Sequence, residues 1–215
     1  MTREELIKRI ALKMDEISSS DDVTIPVGTG DNNPLYTQIN SLLNESVNDV
    51  LMKAPVYRLH PHVASSASST AAGIFCNMRK VAVFSVPDDF IRVVSIKDNL
   101  FQRPIVDLAV EGDDVDKRQH NRYLLAKHAK PVAVLGRGTN GRTITCYSYE
   151  SNETPAPSMS YIKRYDPDKG LTVETGLDDY MIDLVSWVCA GRVFAAQGDT
   201  AKGKLCDENA AALMI

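Results

Sequence analysis

The stretch from Leu177 to Ala196 constrains the fold more than any other part of the sequence. Its apolar residues recur at helical spacing and cover most of the circumference of a helix. Acidic residues gather in its first half and Arg192 lies near its end, an arrangement that the helix dipole favours. Such a helix is stable only when other elements cover it, so we predict a central buried helix here. After Gly198-Asp199 we predict a last helix, packed through small residues and leucines: Ala201, Leu205, Ala212 and Leu213.

The N-terminal region predicts two more helices. Thr2 and Glu5 have the spacing of a capping box, in which each side chain accepts a hydrogen bond from the other residue's amide. The apolar positions that follow recur at helical spacing: Leu6, Ile10, Met14 and Ile17. Pro34 suits the first position of a second helix, and Pro55 ends it. We expect two antiparallel helices joined by a loop over 21–33.

The middle of the chain has the composition of β-strands. Two runs rich in β-branched residues, 81–86 and 91–96, predict strands joined by a turn at Pro87-Asp88-Asp89. Residues 100–108 form a further extended candidate, which Pro104 confines to an edge. Asn140-Gly141 favours a tight turn and predicts a hairpin between 132–135 and 143–149.

Two further elements are predicted in the same region. Residues 113–127 have the pattern of a polar helix with few apolar contacts: Val115, Tyr123 and Leu124. Residues 161–165 and 171–175 are candidates for a second hairpin. Together these patterns predict an α+β fold, a helical bundle of the N- and C-terminal helix pairs (1–59 and 177–215) with a β-rich middle insertion (74–176). A loose linker over 60–73 precedes that insertion.

Composition excludes several classes of protein. The chain has 215 residues, of which 44% are hydrophobic and 24% charged, as in ordinary globular proteins. No apolar run approaches the ~20 residues of a membrane span, and the N-terminus has no secretion signal. We therefore expect a protein made in the cytoplasm with no membrane partner. The four cysteines form no CxxC pair, so we expect reduced thiols and no structural zinc.

The chain also has no pattern that predicts an enzyme. Gly136-Arg-Gly-Thr-Asn-Gly141 has the GxGxxG spacing of a nucleotide-binding loop but lies between two strands, where a hairpin is the better interpretation. His60 and His62 lack further ligands nearby, and His120 and His128 are too far apart on one helix to share an ion. Adjacent acidic pairs such as Asp88-Asp89 do not converge on one point. We expect no catalytic residue, no metal and no cofactor.

Two adjacent blocks of opposite charge are the strongest candidates for a functional surface. From Lys117 to Tyr149 the chain has only basic charges, although the net charge of the whole chain is −4. These candidates are Lys117, Arg118, Arg122, Lys127, Lys130, Arg137 and Arg142. The ten residues before them carry only acidic charges, at Asp107, Glu111, Asp113, Asp114 and Asp116. Three interpretations remain open: a solvated helix with its own counter-charges, complementary faces that meet between neighbouring copies, or a basic surface that binds phosphates.

The order of elements and several phrases resemble the head–tail adaptor proteins of tailed bacteriophages. The phrases are Val86-Pro87-Asp88-Asp89-Phe90-Ile91-Arg92-Val93-Val94-Ser95 and Arg103-Pro104-Ile105. The helix over 179–196, the break at Gly198-Asp199 and the Ala-rich last helix are similar to the closing helical pair of these adaptors. The likeness is greatest to the ring or connector proteins of short-tailed, crAss-like phages.

This resemblance implies a non-enzymatic virion protein that forms a homo-oligomeric ring, a dodecamer, at the head–tail junction below the portal. Its implied partners are the other copies in the ring, the portal protein, further tail or ring proteins, and the double-stranded DNA in the channel. One rival interpretation is a monomeric nucleic-acid-binding module that uses the basic stretch 117–142. A second rival is an enzyme of a type without a recognisable motif.

Overall fold

The structure, a computed structural model, describes residues 2–18, 34–64, 70–71, 80–121, 123–138, 141–150, 152–165 and 177–214. The fold is mixed α+β, and the described residues contain five α-helices and two β-sheets. The helices are α1 (Arg3–Ser18), α2 (Pro34–Lys53), α3 (Asp114–Gln119), α4 (Asp179–Ala196) and α5 (Thr200–Leu213). The strands are β1 (His62–Ala64), β2 (Thr70–Ala71), β3 (Ala82–Ser85), β4 (Phe90–Lys97), β5 (Ala109–Val110), β6 (Val132–Gly138), β7 (Gly141–Tyr147) and β8 (Ser158–Lys163).

The chain divides into two compact units. The first consists of Met1–His60 and Arg164–Ile215 and contains α1, α2, α4 and α5. The second consists of Pro61–Lys163 and contains α3 and all the described strands. The first unit is therefore built from both ends of the chain, and the second from its middle.

In the first unit, α1, α2 and α5 each pack against α4, and the prediction of a buried helix at this position is confirmed. No helix in the described part of the chain is long and apolar enough to cross a membrane.

The capping box of α1 is also confirmed. The Thr2 amide donates to the Glu5 carboxylate at 2.7 Å, and the Glu5 amide donates to the Thr2 hydroxyl at 3.2 Å. α2 begins at Pro34 and ends before Pro55, as the two prolines predict.

The backbones of α4 and α5 approach each other closely at two glycines. A β-carbon on Gly191 would lie 3.2 Å from the β-carbon of Cys206, and one on Gly203 would lie 3.3 Å from the Gly191 carbonyl oxygen. The buried positions of α5 are Gly203, Cys206 and Ala210, whereas Ala201, Leu205 and Ala212 are exposed. Small residues do pack this helix, but the predicted stripe was on the wrong face, because the two glycines bring the backbones together.

The second unit packs two sheets around one apolar core. β1, β8 and β4 form an antiparallel sheet, while the larger sheet has the order β2-β3-β7-β6-β5. The largest fully buried side chains of this core come from both sheets and from Tyr149, which follows β7: Phe84, Ile96, Ile144, Tyr149 and Met159. The predicted hairpin is confirmed, since β6 and β7 pair from Val132 and Tyr147 to Gly138 and Gly141.

Two predicted elements were wrong. Residues 100–108 form no strand, and only Ile105 makes a bridge to Ile96 of β4. The predicted helix over 113–127 ends at Gln119. There the side chain of Asn121 accepts from the Tyr123 amide at 3.0 Å, and the Gln119 side chain accepts from the Ala126 amide at 2.9 Å. These side-chain acceptors replace the helical backbone bonds.

Other predictions fall outside the described residues. They concern the loop 21–33, half of the linker 60–73, the second arm of the second hairpin at 171–175, Asn140 in the hairpin turn, and the site candidate Arg122. In its described part the prediction of a loose linker was wrong, because His62–Ala64 and Thr70–Ala71 form β1 and β2, which pair with β8 and β3.

Candidate functional site

The acidic block lies around the start of α3, where three of its five carboxylates bind backbone amides. Asp113 caps the helix and accepts from the amides of Asp116 at 2.7 Å and Val110 at 3.0 Å. These backbone hydrogen bonds, that from Asp116 first, lower the pKa of Asp113. The Asp116 side chain, which is buried, accepts from the Gly112 amide at 2.8 Å. Glu111 accepts from the Arg137 amide at 3.0 Å.

The remaining two acids of the block, Asp107 and Asp114, are exposed, as is Glu111. Asp107 precedes β5, and Asp114 lies in the first turn of α3 with one carboxylate oxygen 3.8 Å from the Lys117 ammonium. The Asp114–Lys117 pair is the counter-charge arrangement of a solvated helix, which was one of the three interpretations. Most of the acidic block therefore stabilises local structure.

The basic candidates spread over α3, the segment after it and the β6–β7 hairpin. Lys117 and Arg118 are exposed at the end of α3. Lys127 and Lys130 are also exposed, and their backbones form an isolated antiparallel bridge. Arg122 lies outside the described residues.

The two remaining basic residues lie opposite each other. Arg137 of β6 and Arg142 of β7 are direct cross-strand partners near the end of the hairpin, and both are exposed. The Arg142 guanidinium lies 5.9 Å from the centre of the Phe90 ring. Like charges directly opposite each other in a sheet repel, and the Glu111 carboxylate, which accepts from the Arg137 amide, is an acid near this pair.

Sequence reasoning missed the exposed apolar residues among these charges. We call residues 106–124, apart from the undescribed Arg122, the edge segment. Tyr123 is 83% exposed, Val110 59% and Leu124 55%. Val115, Tyr123 and Leu124 were expected to be the apolar contacts of a long helix. Val115 lies in α3 and is exposed, while Tyr123 and Leu124 lie beyond its end at Gln119; all three face solvent, as do Val106 and Val110. The turn signal at Asn121 was the one feature of the sequence that could have indicated this.

The edge segment also contains the edge strand of the larger sheet. β5 is the last strand of the five-stranded sheet and pairs with β6 in parallel. In the described part of the chain no further strand pairs with β5, and Asp113 binds the backbone of Val110. The Val110 amide donates to the Asp113 carboxylate at 3.0 Å, and the Val110 carbonyl accepts from the Asp113 amide at 3.1 Å. The exposed apolar side chains are therefore the feature of this edge that favours protein association.

A second polar cluster, which was also not predicted from the sequence, lies around Asp98, next to the segment that precedes β8. The carboxylate of Asp98 accepts from the Tyr149 hydroxyl at 3.0 Å and from the amides of Leu100 at 3.0 Å and Ala156 at 2.9 Å. Burial raises the pKa of Tyr149, which therefore keeps its proton and donates to Asp98. These residues are separated by about fifty positions in the sequence, so no local pattern indicates the cluster.

The histidines take separate partners. His128 Nε2 lies 2.9 Å from the Glu153 carboxylate, and His120 Nε2 lies 3.5 Å from Asp116. No group of three potential metal ligands comes together among the residues that the structure describes.

No protein-family model matches the chain, and no curated protein matches it in sequence. The observations that bear on function are therefore the surfaces described above and the resemblance of the sequence phrases.

Proposed function

We propose that this chain is a virion structural protein that assembles into a ring at the head–tail junction below the portal. In this role it continues the DNA channel and bridges to the tail. The observation that supports assembly is the edge segment, where exposed valines, Tyr123 and Leu124 lie along and after the edge strand β5. The resemblance to head–tail adaptors supplies the position in the virion and the number of copies, twelve.

The proposed architecture follows the same family. The N- and C-terminal helix pairs form one bundle, and the β-rich middle is an insertion that carries the edge segment. The first compact unit, which contains helices from both ends of the chain, supports this arrangement.

The composition of the edge segment suits a protein interface. Apolar and aromatic side chains form the core of such interfaces, while charged residues form the rim. In a ring each copy presents two different faces to its neighbours, so a surface need not match itself. Asp107, Glu111 and Asp114 are exposed acids available for a contact between copies, and Arg118 is an exposed base in the same segment. Portal and tail proteins would bind the two ends of the ring.

A double substitution in the edge segment tests the proposal. Tyr123→Ser with Leu124→Ser removes two exposed side chains, so it should leave the fold intact and lower the oligomer mass. The matched control is Leu12→Ser with Leu205→Ser, which removes exposed apolar side chains from α1 and α5. Multi-angle light scattering measures the mass, and circular dichroism checks the fold. A folded edge variant with the mass of the wild-type assembly contradicts the proposed interface.

A second candidate function is supported by the Arg137–Arg142 pair. The two opposed guanidinium groups fit the phosphates of a nucleic acid, and a monomeric chain would then bind through 117–142. A monomeric species that binds duplex DNA with a steep dependence on salt concentration would favour this function over the ring.

A further inference from the structure

A pocket of about 300 Å³ opens where β4 ends and β8 begins. Its wall is the turn from Lys97 to Pro104, completed by Ala156 and Ser158. It lies outside the charged blocks at 107–116 and 117–142. Its size is at the lower end for small-ligand sites, enough for one polar group and the carbon atoms attached to it.

Hydrogen bonds hold the pocket in shape. Ile96 and Ile105 exchange two backbone hydrogen bonds, at 2.8 and 2.9 Å, and so close the turn at both ends. Within the turn, the Gln102 amide donates to the His128 carbonyl at 3.0 Å. Asp98 connects the turn to Tyr149 and Ala156, as described above. A ligand would therefore bind a largely preorganised wall, which lowers the entropic cost of binding.

The charges of the wall favour an anion. Lys97 and Arg103 are both exposed, and no ion pair among the described residues includes either of them. Asp98 is the one carboxylate of the lining, and it already accepts three hydrogen bonds from the protein. Cationic groups therefore outnumber carboxylates in the lining. The side-chain amides of Asn99 and Gln102 and the hydroxyl of Ser158 are further potential donors.

The wall also has an apolar part. The ring of Phe101 packs against Tyr149 with 5.2 Å between ring centres, and Pro104 lies in the same lining. Arginine, lysine, amide and hydroxyl donors are the side chains that bind phosphates, and the apolar part suits the carbon atoms of an ester. We propose that this pocket binds the phosphate group of a phosphate ester, with Arg103 and Lys97 as its principal ligands.

Such a group can come from a free sugar phosphate or from the backbone of DNA, and the test separates them. The probes are ribose 5-phosphate, with ribose as the phosphate-free reference, and a fluorescent 20-base-pair duplex. The test variant is Lys97→Ala with Arg103→Ala. Its matched control is Lys8→Ala with Lys204→Ala, which removes the same charge from exposed positions on α1 and α5. Calorimetry measures the affinity for the sugar phosphate, and fluorescence anisotropy measures the affinity for the duplex at several salt concentrations.

The wild type and the control should bind at least one phosphate probe and not ribose. The test variant should bind that probe about tenfold more weakly. If the duplex is the ligand, the slope of log K against the logarithm of salt concentration should become shallower by about 0.9 in the test variant. This is the change expected for the loss of one phosphate contact. Binding of the sugar phosphate alone assigns the pocket to a free metabolite. No binding of either probe, or equal weakening in the control, overturns the proposal.

Light scattering on the same variants separates this proposal from the ring. The test variant should keep the oligomer mass of the wild type, because its substitutions lie outside the edge segment. Loss of phosphate binding with an intact ring supports the pocket, whereas phosphate binding by a chain that never assembles contradicts only the proposed ring.

Discussion

At the scale of single residues, Asp98 connects three segments of the second unit that no local pattern in the sequence relates to one another. Its carboxylate bridges the end of β4, the residue Tyr149 after β7 and the segment before β8. Tyr149 is fully buried, so its hydroxyl has no water to replace Asp98. The sequence could not reveal this, because the partners come together only when both sheets have folded.

Replacing Asp98 with Asn should destabilise the protein. The amide is a weaker acceptor than the carboxylate, and its NH₂ group would face donors. We expect the free energy of unfolding to fall by about 1–3 kcal/mol, the usual cost of an unsatisfied buried polar group. Urea denaturation, monitored by fluorescence, measures the change in the free energy of unfolding. Asp88→Asn, at an exposed position, is the control. Equal stability of the two variants would show that the Asp98 contacts contribute nothing.

At the scale of secondary-structure elements, the contact of α4 with α5 depends on two glycines. A side chain on Gly203 would press on the Gly191 carbonyl, 3.3 Å from the position of a β-carbon. At this point the two helix backbones lie too close together for a residue larger than glycine.

Gly203→Val should therefore destabilise the first unit. Overpacking typically costs about 1–3 kcal/mol, and the gain in helix propensity over Gly recovers only part of it. The control is Ala201→Val, which places the same side chain at an exposed position of α5. Urea denaturation of both variants measures the difference. If the two midpoints coincide, the close contact of the helices has no energetic role.

The elements also show which features the sequence can predict. The capping box at Thr2, the start of α2 at Pro34 and the hairpin at Gly141 depend on neighbouring residues and were predicted correctly. The helix over 113–127 was predicted too long, because the Asn121 and Gln119 side chains compete with the helix for its amides. The edge segment was consequently missed as an apolar surface. Its charges were recognised, but their pairing with backbone amides depends on folded geometry.

At the scale of the whole molecule, the chain is proposed to work as one copy in a ring. The helical unit comes from both ends of the chain, and the β-rich unit carries the edge segment and the proposed phosphate pocket. The exposed apolar residues of the edge segment would be a liability on a monomer, and assembly of the proposed ring would bury them.

Electron microscopy of the purified full chain tests this claim most directly. The account predicts negatively stained rings with twelvefold symmetry and a central channel, with a particle mass twelve times the 23.6 kDa of the chain. Particles of a single chain at every protein concentration, with no ring among the class averages, would contradict it.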